Sequence, residues 1–403
     1  MPTVIGSTKA DFDRKEMEKR GLIAPQTEQP NINALKAAFD QALAHHLSLP
    51  REERIANSKN AAAVIAAHVG KQKNGQPNKL LGKNMKLMKA EKGYEGEVVT
   101  MPDGRPIETT GLALSPAYEE GRFNTCPNSK SCSKECLGKT SGGNFMFGGG
   151  TDLDMIKGPR LTHYKRTQAF LRNPKEFAVR LNDEIEASKY STAMRGNHQG
   201  VRLNVLSDIH PKVYESLINA HPEVDFYDYT KNNTKPIAPN HHLTYSSTGL
   251  TQPAGKNGVK EHIENENQNW HTMRTKLEQG HNVAMAFSHQ KELPSHLHDE
   301  ESGNHYVVID GDTHDFRPLD KVMPGQKGVI IGLRKKSAKH TQENAARNSS
   351  GFFVHYDPQY QTVKGKRVKD EDGNPIPTNR IVNVALQKRG KINIDNDGKA
   401  LGD

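Results

Sequence analysis

The feature that most limits the folds open to this chain is a succession of short apolar or aromatic runs, each closed by a polar cluster. The runs cover Gly111–Pro116, Val201–Asp208, Val224–Lys231, His242–Ser247, Asn282–Ser288, Tyr306–Asp312 and Gly328–Arg334, with longer segments between them. Runs this short suit buried strands better than helices. Strands separated by helices or long connections build a parallel sheet, because parallel neighbours need a crossover. The pattern predicts an α/β fold, a partial parallel (β/α) barrel of TIM-like layout. In such folds the ligand sits at the carboxyl ends of the strands. The polar clusters there supply the candidates: Asn204, Ser207 and Asp208; Asp228, Thr230 and Lys231; Ser246 and Ser247; and Asp310, Asp312 and Arg317.

The flanks read differently. Residues 1–30 form a polar arm punctuated by proline, and Ala34, Leu35, Ala38, Phe39, Ala42, Leu43 and Leu47 then recur at helical spacing until Pro50. A second, alanine-rich helix is expected over Arg51–Val69, ending before Gly70. Between the first two strands, Phe170, Phe177, Leu181 and Ile185 fit an amphipathic helix with Asn173-Pro174 as its break or start. Towards the end, Arg367–Ala385 reads as a β-hairpin around Asp372-Gly373-Asn374-Pro375. The expected division is an arm with helices at 1–79, a core at 80–355, and a basic hairpin and tail at 356–403.

All three cysteines fall within eleven residues, Cys126, Cys132 and Cys136, spaced C-x5-C-x3-C directly after the first strand. A loop there can aim three soft thiolates at one point. Three readings stay open: free or structural thiols, a zinc site completed by His163, or a four-iron four-sulfur (4Fe-4S) cluster with one iron open to a small molecule. Three cysteines also exclude a disulfide scaffold, which favours a reducing cytoplasm. No run approaches the twenty apolar residues of a membrane span, and mean hydropathy is −0.80, so no membrane partner is expected.

The formal charge of +9 is uneven: residues 321–403 hold sixteen Lys and Arg against eight Asp and Glu. Arg334, Lys335, Lys336 and Lys339, and then Lys364, Lys366, Arg367 and Lys369, can lie along nucleic-acid phosphates or form a solvated basic face. Asp310, Asp312, His314, Asp315 and Arg317 gather in one strand-end segment that suits a hard metal, an acid/base pair with an arginine clamp, or an Asp-stabilised turn. Glycines at 141–150 suit a flexible lid. No P-loop, G-x-S-x-G elbow or H-E-x-x-H is present, which removes support for simple ATPase, esterase and zincin readings.

Seven blocks in one order resemble a family of tailed-phage proteins: Asn84…Lys86, Leu112…Ser115-Pro116-Ala117, Cys126-Pro127…Cys132…Cys136-Leu137, Arg202-Leu203-Asn204…Ser207-Asp208-Ile209, Phe226-Tyr227-Asp228-Tyr229-Thr230-Lys231, Leu243-Thr244-Tyr245-Ser246 and Asp310-Gly311-Asp312…Asp315-Phe316-Arg317. More distantly, the order of cysteines, Ser207-Asp208, Thr230-Lys231 and Ser246-Ser247 is similar to a phage family assigned to the radical S-adenosylmethionine (radical SAM) enzymes. Those enzymes usually space their cysteines C-x3-C-x2-C, unlike this chain. That resemblance implies a radical SAM-like partial barrel in which Cys126, Cys132 and Cys136 hold the cluster and the open iron chelates S-adenosylmethionine. Asn204, Ser207, Asp228, Thr230 and Ser246 would then hydrogen-bond the cofactor or the substrate. The implied activity is radical chemistry on nucleic acid or a nucleotide-derived substrate, with a host reductase as partner in a host cytoplasm. A zinc-stabilised transglycosylase-like enzyme using Asp228 or Asp310, and a nonenzymatic nucleic-acid-binding protein with a structural cysteine loop, are the alternatives.

Overall fold

The computed structural model describes residues 31–75, 78–84, 87–92, 98–117, 119, 123–129, 132, 136, 158–247, 270–320, 322, 324–335, 352–354, 356, 358–364, 366–371, 373–379 and 381–383. The arm at 1–30, the glycines at 141–150, and Lys336 and Lys339 lie outside them.

Two helices open the described chain, α1 (Ile32–Ser48) and α2 (Arg51–Val69). The side chain of Asn31 caps α1 by accepting the Asn33 N–H at 2.8 Å. Leu35, Phe39, Ala42, Leu43 and His46 form its buried stripe; the spacing predicts the first four, whereas the predicted Leu47 is 44% exposed and His46 is buried beside it. Helices α3 (Lys89–Lys92), α4 (Gly158–Arg172), α5 (Pro174–Met194), α6 (Glu215–Asn219) and α7 (270–278) follow. Pro174 opens α5, where a missing N–H costs no helix bond. Phe39, Phe170, Phe177 and Tyr214 meet largely edge to face, with centroids 5.4–5.9 Å apart in the three closest pairs. They tie α1, α4 and α5 to the 3-10 turn Pro211–Tyr214 in one core that also takes Val201 and Phe226 from the sheet. No helix among the described residues is long and apolar enough to cross a membrane.

The strands are β1 (Leu81–Gly82), β2 (Ile107–Leu112), β3 (His198–Arg202), β4 (Asp225–Thr230), β5 (His241–Ser246), β6 (Val283–Phe287), β7 (His296–Asp299), β8 (Asn304–Asp310) and β9 (Ile330–Arg334), with short β10 (Gln359–Tyr360), β11 (Thr362–Val363), β12 (Lys366–Arg367), β13 (Pro377–Asn379) and β14 (Ile381–Asn383) after them. Ten pair in the order β1-β2-β3-β4-β5-β6-β9-β8-β7-β14. From β2 to β8 every neighbouring pair is parallel. β1 is antiparallel to β2, β7 is antiparallel to β8, and β14 is parallel to β7. The α/β class and the parallel run agree with the sequence pattern. Among the described residues the order starts at β1 and stops at β14 with no pairing between them, so the largely parallel sheet is shown and a TIM-like barrel is not.

Alternation along the strands sorts side chains between two faces. Val201 and Phe226 face the helices, whereas Tyr227 meets Phe316 on the other face at 5.4 Å. The segment after β8 crosses that second face. It carries Phe316 so close to Gly200 that a Cβ there would sit 2.7 Å from the ring.

Candidate functional site

The carboxyl ends of β3, β4 and β5 share one polar network, and Asp208 is its centre. Buried at 6% exposure, its Oδ1 accepts from Thr230 Oγ1 at 2.8 Å and Asn232 Nδ2 at 2.9 Å, while Oδ2 accepts the Lys231 N–H at 2.9 Å. The turn after β4 is thereby fixed to the turn after β3. Lys231 Nζ reaches across to donate to Ser246 Oγ at 3.0 Å, adding β5. Register explains the reach: Thr230 pairs with Tyr245, so the next residues on the two strands point to the same face.

Asn204 organises the neighbouring turn. Its Oδ1 accepts from Ser207 Oγ and the Ile209 N–H, both at 2.9 Å, and its own N–H donates to Asp228 Oδ1 at 2.7 Å. Asp228 shares the helix-facing side of β4 with Phe226, and burial pushes its carboxyl up to about 7. Ser247 is buried, and its N–H bonds the Ala284 carbonyl. Of the strand-end candidates, Asp208, Thr230, Lys231 and Ser246 form one connected set, Asn204, Ser207 and Asp228 a second beside it.

The cysteine loop is sewn onto this edge. The Asp208 N–H donates to the Thr125 carbonyl at 2.7 Å, and Asn128 Nδ2 donates to Asn232 Oδ1 at 2.8 Å. Cys126 Sγ accepts from the Ala117 N–H at 3.4 Å and donates to the Leu206 carbonyl at 3.6 Å. Burial pushes the Cys126 thiol up, so in this arrangement it keeps its proton. Cys132 and Cys136 are half-buried, and none of the three is in a disulfide. The donor chemistry suits a soft metal or an iron–sulfur cluster, but among the described residues no three His, Cys, Asp or Glu side chains are grouped to hold a metal. Cys126 alone is fixed to this edge by these contacts. His163 on α4 has a buried Nδ1 with no hydrogen-bond partner, and burial lowers its pKa to about 4, so the ring is neutral near pH 7.

The other acidic candidates lie at the end of β8 and in the segment after it. Arg334 grips both Asp310 oxygens at 2.8 and 2.7 Å, and its backbone N–H donates to Asp312 Oδ2 at 2.9 Å. Arg317 is buried at 4% exposure beside His314 and Asp320, turned away from Asp310. Asp315, next to Phe316, returns across the sheet to pair with Arg202 at 2.9 Å, and Arg202 also lies 4.5 Å over the Tyr229 ring.

Sequence reasoning missed Asn128, Asn232 and the Arg202–Asp315 pair. Asn232 directly follows Thr230-Lys231, so reading the strand-end cluster one residue further would have found it. No short-range signal joins Arg202 to Asp315.

Residues 78–355 match the family described as Gene product 88, in line with the expected phage-type family. No curated protein matches the chain, and no solved structure does. The family match names neither a cofactor nor a reaction. It spans more than half of the sequence and takes in the cysteine loop and every strand-end residue described above, and the chain therefore belongs to the Gene product 88 family.

Proposed function

We propose that this chain is an enzyme whose reaction centre lies at the carboxyl edge of β3, β4 and β5, and that Cys126, Cys132 and Cys136 carry an iron–sulfur cluster used in radical SAM-like chemistry. The observation that supports this reading is the attachment of the cysteine loop to the strand ends, through Thr125 to Asp208, Cys126 to Leu206 and Asn128 to Asn232. A cofactor in that loop would face the crevice where parallel sheets bind ligands. Holding a cluster would require all three thiols as thiolates, including Cys126, whose protonated form burial favours.

The chain's own contribution is positioning. Lys231 Nζ and Ser246 Oγ can exchange their mutual bond for bonds to a ligand, while Asp208, held by three donors, keeps that edge rigid. An iron–sulfur enzyme of this kind needs an electron donor, for which a host reductase is the proposed partner. The base-exchange alternative loses ground, since Asp228 is buried on the helix side and Asp310 is clamped by Arg334. A zinc site has one supporting observation, the neutral His163 imidazole, whose buried Nδ1 has no hydrogen-bond partner among the described residues, as a fourth ligand.

Anaerobic purification followed by iron, sulfide and zinc analysis separates these. About four irons per chain, with a brown colour that bleaches in Cys132→Ala, are expected for the cluster. Stoichiometric zinc without iron overturns it in favour of the zinc site.

A further inference from the structure

Beyond the matched region 78–355, the β11–β12 hairpin holds four cations within six residues: Lys364, Lys366, Arg367 and Lys369. All four are exposed, and none makes an ion pair with a described residue. Elsewhere in the fold, lysines and arginines at the surface are commonly matched by carboxylates, as in Arg195–Glu108 and Lys83–Glu91. The acids next to this hairpin in sequence are Asp370, Glu371 and Asp372, one fewer than its cations, and Asp370 Oδ1 accepts the Asn374 N–H at 2.7 Å. A positive excess therefore remains on the hairpin.

Two further features give the patch a shape. Lys364 occupies the tip at φ +48°, a left-handed conformation that Gly, Asn or Asp adopts more readily. The Arg367 guanidinium lies 4.2 Å over the Tyr360 ring, and Tyr360 is itself anchored by its hydroxyl to Glu292 at 2.5 Å. One plane of the guanidinium is thus pinned against an aromatic ring, and the exposed residue presents the other outward. A flat cation beside three point charges suits a nucleic-acid strand whose bases are free to stack while its phosphates meet the lysines.

We propose that the β11–β12 hairpin is a binding surface for single-stranded nucleic acid, with Lys364, Lys366 and Lys369 on phosphates and Arg367 stacking on a base. This surface is independent of what the cysteine loop holds.

The test is fluorescence anisotropy of a labelled oligothymidylate with the full chain across a salt series. Three phosphate contacts give a log–log salt slope of about −2.1, so affinity falls about 20-fold between about 50 and about 200 mM salt. Replacing all four cations by Ala should remove most of that slope, and K364E/K366E should weaken binding further, with circular dichroism reporting that each variant is folded. Arg367→Lys keeps the charge and loses the plane, so affinity should drop about fivefold with the slope retained. Cys132→Ala, measured in parallel, should bind as wild type, so that failure of the cluster reading leaves this one standing. Absence of binding, unchanged binding in the four-alanine variant, or binding to phosphatidylserine vesicles but not to the oligonucleotide overturns the proposal. Equal affinity for duplex, with no effect of Arg367→Lys, overturns the single-strand assignment.

Discussion

Asp208 is the residue whose removal should most clearly expose the design of the strand-end site. Its carboxylate accepts three hydrogen bonds of 2.8–2.9 Å, from Thr230, Lys231 and Asn232, at 6% exposure. A bond to a charged acceptor contributes about 1.5–3 kcal/mol, and a buried donor left unpaired costs a similar amount. Asp208→Ala strands the Thr230 hydroxyl and the Lys231 N–H and leaves Asn232 Nδ2 only its longer bonds to the residue 208 carbonyl and Thr230 Oγ1, both 3.2 Å, so with partial recovery by water the expected cost is roughly 4 kcal/mol. Asp208→Asn keeps one acceptor for Thr230 and Asn232 and turns an amide N–H2 against the Lys231 N–H, for about 2 kcal/mol. Urea unfolding at pH 7 measures both, with an unchanged m-value showing that the same folded state is being compared. The order Ala worse than Asn worse than wild type is expected. If both variants lie within about 0.5 kcal/mol of wild type, Asp208 is not the organiser of this edge, and the reasoning fails.

Four further outcomes follow from other residues. Burial raises Asp228 to about 7, so the folded state holds a proton that the unfolded chain releases near 4; stability should fall as pH rises between those values, and Asp228→Asn should flatten that part of the urea-midpoint profile relative to wild type. Asp225 behaves oppositely, because hydrogen bonds from His198 at 2.7 Å and His242 at 3.0 Å outweigh burial and hold its carboxyl below the usual range; its contribution is present above about pH 4 and lost as pH falls further, a loss that Asp225→Asn should remove from an acid titration. Arg202→Met leaves Asp315 without its 2.9 Å partner in the interior and should cost about 3–5 kcal/mol in thermal or urea unfolding, whereas a cost under about 1 kcal/mol would mean that the pair is not buried in solution. Gly328→Ala places a Cβ 2.3 Å from the His281 carbonyl oxygen, and the forced backbone shift should cost about 1–3 kcal/mol; a neutral result would rule out this approach of the two chains.

The fold was legible where apolar runs coincide with strands. β4, β5, β6, β8 and β9 fall on the runs read from sequence to within two residues at either end. β2 and β3 start earlier than their runs suggest, because Thr109, His198 and Gln199 are buried polar residues. Two of them find local partners, the Leu87 carbonyl for Thr109 and Asp225 for His198, and hydropathy carries no trace of such pairing. The insertion of β9 between β6 and β8 is a long-range choice that no local pattern encodes. Nor does local pattern announce that the segment after β8 folds back to fill the second face with Phe316.

The site was legible as a set of strand ends, and Asp208, Thr230, Lys231 and Ser246 do converge. Period-two alternation, followed strictly, would have set Asp228 on the helix side with Phe226. Asp310 is held by Arg334 at the end of β8, and no local pattern shows that the following segment carries Asp315 back to Arg202 at the end of β3. The turn around Gly373 was also readable, with φ +82° there and the Asp370 N–H donating to the Asn374 carbonyl at 2.8 Å, but the strands of the expected 367–385 hairpin pair elsewhere, β12 with β11, β13 with β10 and β14 with β7.

The most direct test of the central claim is electron paramagnetic resonance of the anaerobically purified, dithionite-reduced protein with and without S-adenosylmethionine. The account predicts a reduced iron–sulfur signal that changes when S-adenosylmethionine is added and is absent from Cys126→Ala. A protein carrying no iron, or an iron–sulfur signal indifferent to both the cofactor and the cysteine, would contradict it.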